Sequence, residues 1–283
     1  MFYVNHQTGS AGASPSLEKH IMLTKTWLDY IPLWTLFAVT VLLVLAAIEG
    51  GYRLAIFRKR QSDNGIDAPI GSVIGGILGL LGFLLAFTFG MAATRFDTRR
   101  ELLLNEVNAI GTCYLRAGLV PDYERVETRK LLREYVHLRA EAVKQPQSLP
   151  QVLARSEALH DELWSQALLV AKKDSSSEMH ALFVDSLNEV IDFHTKRVVV
   201  SQYHIPDIIW LALYGVSMLS MAGVGYQFGL TGSRDFAINC CLALAFSIVI
   251  TLIADLDRIS EGTLQVSQQP MIELDRKLGA SAN

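Results

Sequence analysis

The chain has 283 residues, of which 51% are hydrophobic and 19% are charged, and its net charge at pH 7 is −3. A typical soluble domain has about 25% charged residues, so this composition points away from an ordinary soluble protein. The small negative net charge gives no basis for nucleic-acid binding. Three cysteines make neither a disulfide framework nor a metal knuckle.

The apolar residues are concentrated in four segments that carry no charge: 31–48, 70–94, 208–233 and 236–254. Each segment reaches the length of about 18 residues that marks a membrane-spanning helix. In lipid, a helix satisfies its own backbone hydrogen bonds. The predicted domains are a polar N-terminal segment (1–30), transmembrane helices 1 and 2 (31–94), an extramembrane amphipathic helical bundle (95–207), transmembrane helices 3 and 4 (208–254) and a polar C-terminal tail (255–283).

The connection between the first two spans is short and basic. Its cations are Arg53, Arg58, Lys59 and Arg60. Under the positive-inside rule, this loop belongs in the cytoplasm and the bundle on the opposite side. The long connection between spans two and three has basic residues of its own near the membrane, including Arg95, Arg99, Arg100, Lys196 and Arg197. The two signals compete, and the orientation stays open.

Small residues recur at intervals of three and four along the second span. They are Gly71, Gly75, Gly79, Gly82, Ala86 and Gly90. Such a stripe lets another helix approach closely, and helix packing in lipid depends on that closeness. Two interpretations are equally supported: a subunit or pore-forming interface, and packing against a neighbour within the same subunit.

No proline or turn cluster follows the second span, so the sequence predicts one long helix over 70–118. Polar residues align on its outer part, opposite the apolar face: Glu101, Asn105, Asn108 and Thr112. In an oligomer, this stripe and the basic cluster of Arg95, Arg99 and Arg100 could line a water-filled vestibule, with Phe83, Phe87 and Phe89 as a hydrophobic constriction. The alternative is an ordinary solvated helix face.

Residues 95–207 show four amphipathic helical patterns, which are typical of a small bundle. Their apolar faces are Leu103, Val107, Ile110 and Tyr114; Leu131, Tyr135, Leu138 and Ala142; Leu159, Leu163, Ala167 and Val170; and Leu187, Val190, Ile191, His194 and Val198. No run in this section resembles a strand. We therefore expect an all-α integral membrane protein with four transmembrane helices and a helical bundle domain inserted between helices 2 and 3.

Two Glu-x-x-His repeats, Glu134 to His137 and Glu157 to His160, are the strongest candidates for metal chemistry. With Glu106 and Glu189 they match the ligand set of a di-metal carboxylate site. His137 and Glu157 lie off the apolar faces, however, which favours a solvated surface. Three further acidic residues share one helix face: Asp185, Glu189 and Asp192. We interpret them as a solvated surface and not as a cation site, because no loop supplies backbone carbonyls.

No phosphate-binding glycine loop, nucleophile elbow or metalloprotease helix motif is present in the sequence. We therefore predict no catalytic residue, no metal, no cofactor and no enzyme activity.

Two sequence blocks, GFLLAFTFGMAATRFDTRRELLLNEVNAIGTCYLRAGLV and LDRISEGTLQVSQQPM, closely resemble the bacterial bestrophin-like membrane-protein family. The resemblance implies a multi-pass protein of the bacterial inner membrane, with four spans and an inserted helical domain. By analogy with true bestrophins, it further implies an oligomeric anion channel whose large domain is cytosolic. No bestrophin calcium-clasp or pore-neck motif matches specific positions, so no functional residue is carried over.

Two functional hypotheses follow. The first is a homo-oligomeric ion channel or pore, which conducts inorganic ions across the lipid bilayer and is lined by the second transmembrane helix and its extension. The second is a non-conducting membrane scaffold or sensor whose helical domain binds a protein partner.

Overall fold

The computed structural model describes residues 31–61, 70–142, 149–232, 235–258 and 262–280. Regular structure within these ranges is entirely helical, as predicted. The helices are α1 (Leu33–Gln61), α2 (Ile70–Arg116), α3 (Asp122–Glu141), α4 (Leu149–Lys173), α5 (Glu178–Val200), α6 (Asp207–Thr231), α7 (Phe236–Asp257) and α8 (Gln269–Ala280). A 3₁₀ turn, Ala117–Leu119, follows α2. The predicted N-terminal segment, 1–30, lies outside the described residues.

Four of the described helices are long and apolar enough to cross a membrane: α1, α2, α6 and α7. The prediction of four spans is therefore confirmed. The 47 residues of α2 form one helix without interruption near Thr94. At a rise of about 1.5 Å per residue, this helix is about 70 Å long, well over the bilayer core of about 30 Å.

The chain divides into two compact units. The membrane unit contains the described residues up to Gly111 together with Asn188–Pro270, and the bundle unit contains Thr112–Leu187 and the described residues from Met271 onward. The boundary between Gly111 and Thr112 falls inside the continuous helix α2, and the boundary between Leu187 and Asn188 falls inside the continuous helix α5.

In the bundle unit, most residues of the predicted apolar faces of α3 and α4 are buried, while Leu138 and Ala142 are partly buried. Leu159, Leu163 and Val170 of α4 have no exposed surface, and α4 packs against α3, whose Tyr135 is also fully buried. The C-terminal helix α8 contributes a further apolar side to this unit. Its buried residues are Met271, Leu274 and Leu278.

In the membrane unit, α1 packs against both α6 and α7. The contact between α1 and α6 brings the two backbones together. A Cβ atom added at Gly51 would overlap the carbonyl of Ala222, and one added at Gly225 would overlap the carbonyl of Ile48. One added at Gly229 would lie 2.7 Å from the carbonyl oxygen of Tyr52. Only glycine fits at these places, which is how helices in lipid reach close contact.

We expect Gly225→Ala to destabilise the membrane unit, because its methyl group would meet the backbone of α1 and cannot be accommodated by a side-chain rotation. Overpacking of this kind costs about 1–3 kcal/mol. Thermal unfolding of the detergent-solubilised full chain would measure the effect. Gly215→Ala is the matched control on α6, because an added Cβ there meets nothing within 4 Å. Equal stability of the two variants would contradict the close backbone contact.

Candidate functional site

One side of α2 is buried along most of the helix. Ile74, Leu81, Ala92, Leu103 and Ile110 are at most 5% exposed. They recur at intervals of seven and eleven residues, which return to the same side of an α-helix. The remaining circumference of α2 is therefore what the helix presents to its surroundings.

The opposite side of α2 carries most of the predicted pore residues. Phe83 and Phe87 are 65% and 57% exposed, and their rings stack with centroids 6.3 Å apart. The same side continues with the polar residues Glu101, Asn105, Asn108 and Thr112, of which all but the half-buried Asn105 are exposed. We call the six residues together the exposed line of α2. Phe89 is less exposed, at 39%, and lies off this line.

Arg95 and Arg99, which the sequence grouped with the polar residues, are placed elsewhere. Arg95 Nη1 is 3.5 Å from Asp257 Oδ1, and Arg99 Nη1 donates to the carbonyl of Asp257 at 3.2 Å. Arg99 Nη2 also donates to the carbonyl of Leu256. The last carbonyls of a helix have no partner within it and carry partial negative charge. Arg99 therefore caps the C-terminal end of α7, and Arg95 pairs with the side chain of its last residue, while Arg100 is exposed.

Asp257 and Arg258 join this end of α7 to the chain just before α6 and just before α1. The carboxylate oxygens of Asp257 both accept from the backbone N–H of Ile205, each at 3.1 Å, just before α6 begins. The neighbouring Arg258 donates to the carbonyl of Ile31, just before α1. Sequence analysis did not single out Asp257. The available signal was a carboxylate directly after an uncharged span, a place where ionisable residues tend to have a specific partner.

The small-residue stripe of α2 has almost no partner within the described chain. An added Cβ at Gly75, Gly79, Gly82 or Gly90 would meet nothing within 4 Å among the described residues, and one at Gly71 would reach only Gln227 Nε2 at 3.4 Å. Ala86 is exposed as well. Packing within the subunit, which was one of the two interpretations of the stripe, does not account for it in the described part of the chain.

The residues of the candidate di-metal set lie in separate environments. Glu134 pairs with Arg155 at 2.6 Å, and His137 lies 3.1 Å from Asp275. His160, by contrast, is buried against the ring of Tyr135. Among the described residues, no group of three or more His, Cys, Asp or Glu side chains is arranged to hold a metal ion.

The five other glutamates and aspartates considered for metal binding also have distinct settings. Glu106 is fully buried in the membrane unit and bonds to Arg197. Burial raises the pKa of Glu157, which disfavours the ionised form that a metal ligand needs. Asp185, Glu189 and Asp192 are exposed on α5.

Comparison with known proteins gives a family and a fold. A family model described as Bestrophin-like domain matches residues 36–271. The crystal structure of a bacterial Bestrophin homolog from Klebsiella pneumoniae is similar with a TM-score of 0.59 and 12% sequence identity, covering 86% of this chain and 96% of that one. The structure of a point mutant of a bacterial Bestrophin homolog from Klebsiella pneumoniae is similar with a TM-score of 0.62 and 13% sequence identity, covering 89% of this chain and 99% of that one. No curated protein matches significantly.

We expect Arg99→Gln to lower the stability of the membrane unit, because the carbonyls at the end of α7 would lose a charged donor. Hydrogen bonds to charged groups contribute about 1.5–3 kcal/mol each. Thermal unfolding in detergent would measure the loss. Arg100→Gln removes the same charge from the adjacent exposed position and should leave stability nearly unchanged. If the two variants unfold alike, the proposed cap contributes nothing.

Proposed function

This chain belongs to the Bestrophin-like family, and from that membership we propose that it is an oligomeric membrane ion channel whose conducting path is lined by α2. The observation that supports this most directly is the exposed line of α2, which changes from aromatic to polar along one side of a single helix. A hydrophobic constriction followed by a polar, water-filled region is a common arrangement in channels.

The aromatic part of the line fits a constriction. The Phe83 and Phe87 rings lie one helical turn apart and stack on each other rather than on the rest of the chain. When several copies surround an axis, such side chains form apolar rings that control the passage of hydrated ions. The polar part, from Glu101 onward, then supplies hydrogen-bonding groups to water and ions beyond the constriction.

The glycine stripe supports the oligomer that this arrangement requires. Gly75 and Gly82 lie on a side of α2 next to the exposed line, Gly79 lies at its edge and Gly90 lies on it, and their surfaces are open in the described chain. In a closed ring, the side of a pore helix that adjoins the path contacts the next subunit. Small residues there would let neighbouring helices approach closely. The oligomer is a homo-oligomer in this proposal, with the bilayer as its surroundings.

We expect purified protein reconstituted in a planar bilayer to conduct, and Phe83→Ala and Phe87→Ala to increase the single-channel conductance or open probability, because each removes an apolar ring from the path. Phe57→Ala is the matched control, since Phe57 is 58% exposed but lies on α1, outside the proposed path. Absence of conductance across pH, voltage and membrane tension would instead favour the non-conducting scaffold or sensor.

Selectivity tests the polar part of the line separately. Anion conduction is what the family resemblance implies, so we expect Asn105→Lys to strengthen anion preference and Asn105→Asp to weaken it, because each places charge beside the passing ion. Reversal potentials under a salt gradient would shift in opposite directions for the two variants. Arg100→Gln changes charge on a different side of α2 and should leave reversal potentials unchanged. Equal reversal potentials for all variants would rule out the polar lining.

A further inference from the structure

An apolar groove of about 580 Å³ lies in the membrane unit between α1, α2 and α6. Its volume is within the range of about 300–1,000 Å³ that is usual for small-molecule sites. Gly50 and Leu54 of α1, Ile74 of α2, and Leu219 and Gly223 of α6 contribute to its walls. All of these residues belong to helices that are long and apolar enough to cross a membrane, and Gly50 and Leu54 lie just beyond the uncharged segment 31–48, so lipid is the medium expected at the groove.

The groove exists because side chains are missing along its floor. An added Cβ at Gly50 would meet nothing within 4 Å among the described residues, so this position opens directly into the groove. Gly51 sits beside it in the close contact with Ala222 of α6, and Gly223 lies against the side chain of Ile74. The backbones of α1 and α6 thus form a floor, and Leu54 and Leu219, both more than half exposed, stand beside it.

A basic residue continues the groove side of α1. Gly50, Leu54 and Arg58 are spaced by four residues, so they lie on the same side of the helix. Arg58 is exposed in the last turn of α1 and is about 6 Å beyond Leu54 along the helix axis. Lysine and arginine side chains near the end of a membrane helix extend toward the lipid headgroups. Lys59 and Arg60 lie in the same last turn and add positive charge.

We propose that this groove binds one acyl chain of an anionic glycerophospholipid, with the lipid phosphate held near Arg58. The apolar walls match a hydrocarbon chain, and the basic end of α1 matches the negative headgroup. The site lies on the side of α1 and α6 and requires no ion conduction, so it is independent of the proposed channel function.

Two other occupants fit less well. The connection between α1 and α2, residues 62–69, carries Asp63 and Asp67 and has Ile66 as its only large apolar residue, so its sequence is poorly matched to an apolar groove. A second copy of the chain would place an apolar surface over the walls but would leave Arg58 without a negative partner from the lipid. Charge and hydrophobicity together favour the phospholipid.

The experiment uses full-length protein in vesicles of mixed phosphatidylethanolamine and phosphatidylglycerol. Trace phosphatidylglycerol or phosphatidylcholine with a photoactivatable group in one acyl chain is added as the probe. After irradiation and proteolysis, mass spectrometry measures the labelling of the groove segments of α1 and α6. We expect several-fold more labelling by the phosphatidylglycerol probe than by the phosphatidylcholine probe.

Two matched pairs of variants then separate this site from general lipid contact. Gly50→Leu fills the groove and should reduce labelling several-fold, whereas Gly215→Leu, at an equally open glycine of α6 outside the groove, should not. Arg58→Gln should remove the preference for phosphatidylglycerol, whereas Arg60→Gln, on a different side of α1, should keep it. The arginine pair alters only exposed residues, so it decides the matter even if Gly50→Leu fails to fold.

Equal labelling by the two probes in the unaltered protein would overturn the proposal, because it would indicate only the general lipid surround. Labelling that is unchanged by Gly50→Leu in a folded protein would also overturn it. Absence of labelling in the groove by either probe would show that no lipid chain occupies it, and would likewise rule out the proposal.

Discussion

The membrane unit depends on direct contact between the backbones of α1 and α6. This contact exists only where side chains are absent, at Gly51, Gly225 and Gly229. Lipid tails provide no hydrophobic force that drives helices together, so their association relies on dispersion at short range. A hydrogen bond of 2.9 Å between Thr40 Oγ1 and the Tyr214 hydroxyl adds a polar contact between the same helices. The same loss of side chains leaves the apolar groove beside the contact.

One side of α2 packs within the chain along most of the helix, and the other sides are exposed. Its buried side runs from Ile74 to Ile110 and packs within the chain, so it fixes the rotation of the helix about its axis. That rotation then determines what every other side presents. The exposed line and the glycine stripe overlap at Gly90 and otherwise lie on adjacent sides, and both stay clear of the described chain. A helix fixed in this way can offer one surface to a conducting path and another to a second copy.

Much of the fold could be predicted from the sequence because lipid imposes strong rules on composition. Four uncharged segments indicated four spans, and the lack of a helix breaker after Thr94 indicated that α2 is continuous. The apolar faces of the bundle followed from a helical period. The C-terminal helix α8 lies in the segment that was predicted as a polar tail, because the burial of its apolar residues depends on tertiary packing.

The candidate site could be predicted less fully. The polar part of the exposed line followed from spacing alone, whereas Arg95 and Arg99 were grouped with it because they are close in sequence and charged. Arg99 is four residues before the buried Leu103, and this spacing places it on the buried side. Its partners at the end of α7 are 157 and 158 residues away, a distance over which a single sequence carries no pairing signal.

The cap at the end of α7 has a mechanical consequence. Arg99 connects α2 to α7, and Asp257 connects α7 to the backbone just before α6. Torque on α2 would therefore be transmitted to both neighbours, because the guanidinium cannot leave the carbonyls without exposing unpaired polar groups. Within the membrane unit, rotation of α2 alone about its axis would therefore require free energy to break these hydrogen bonds. A stimulus that twisted it would have to displace three helices as one assembly.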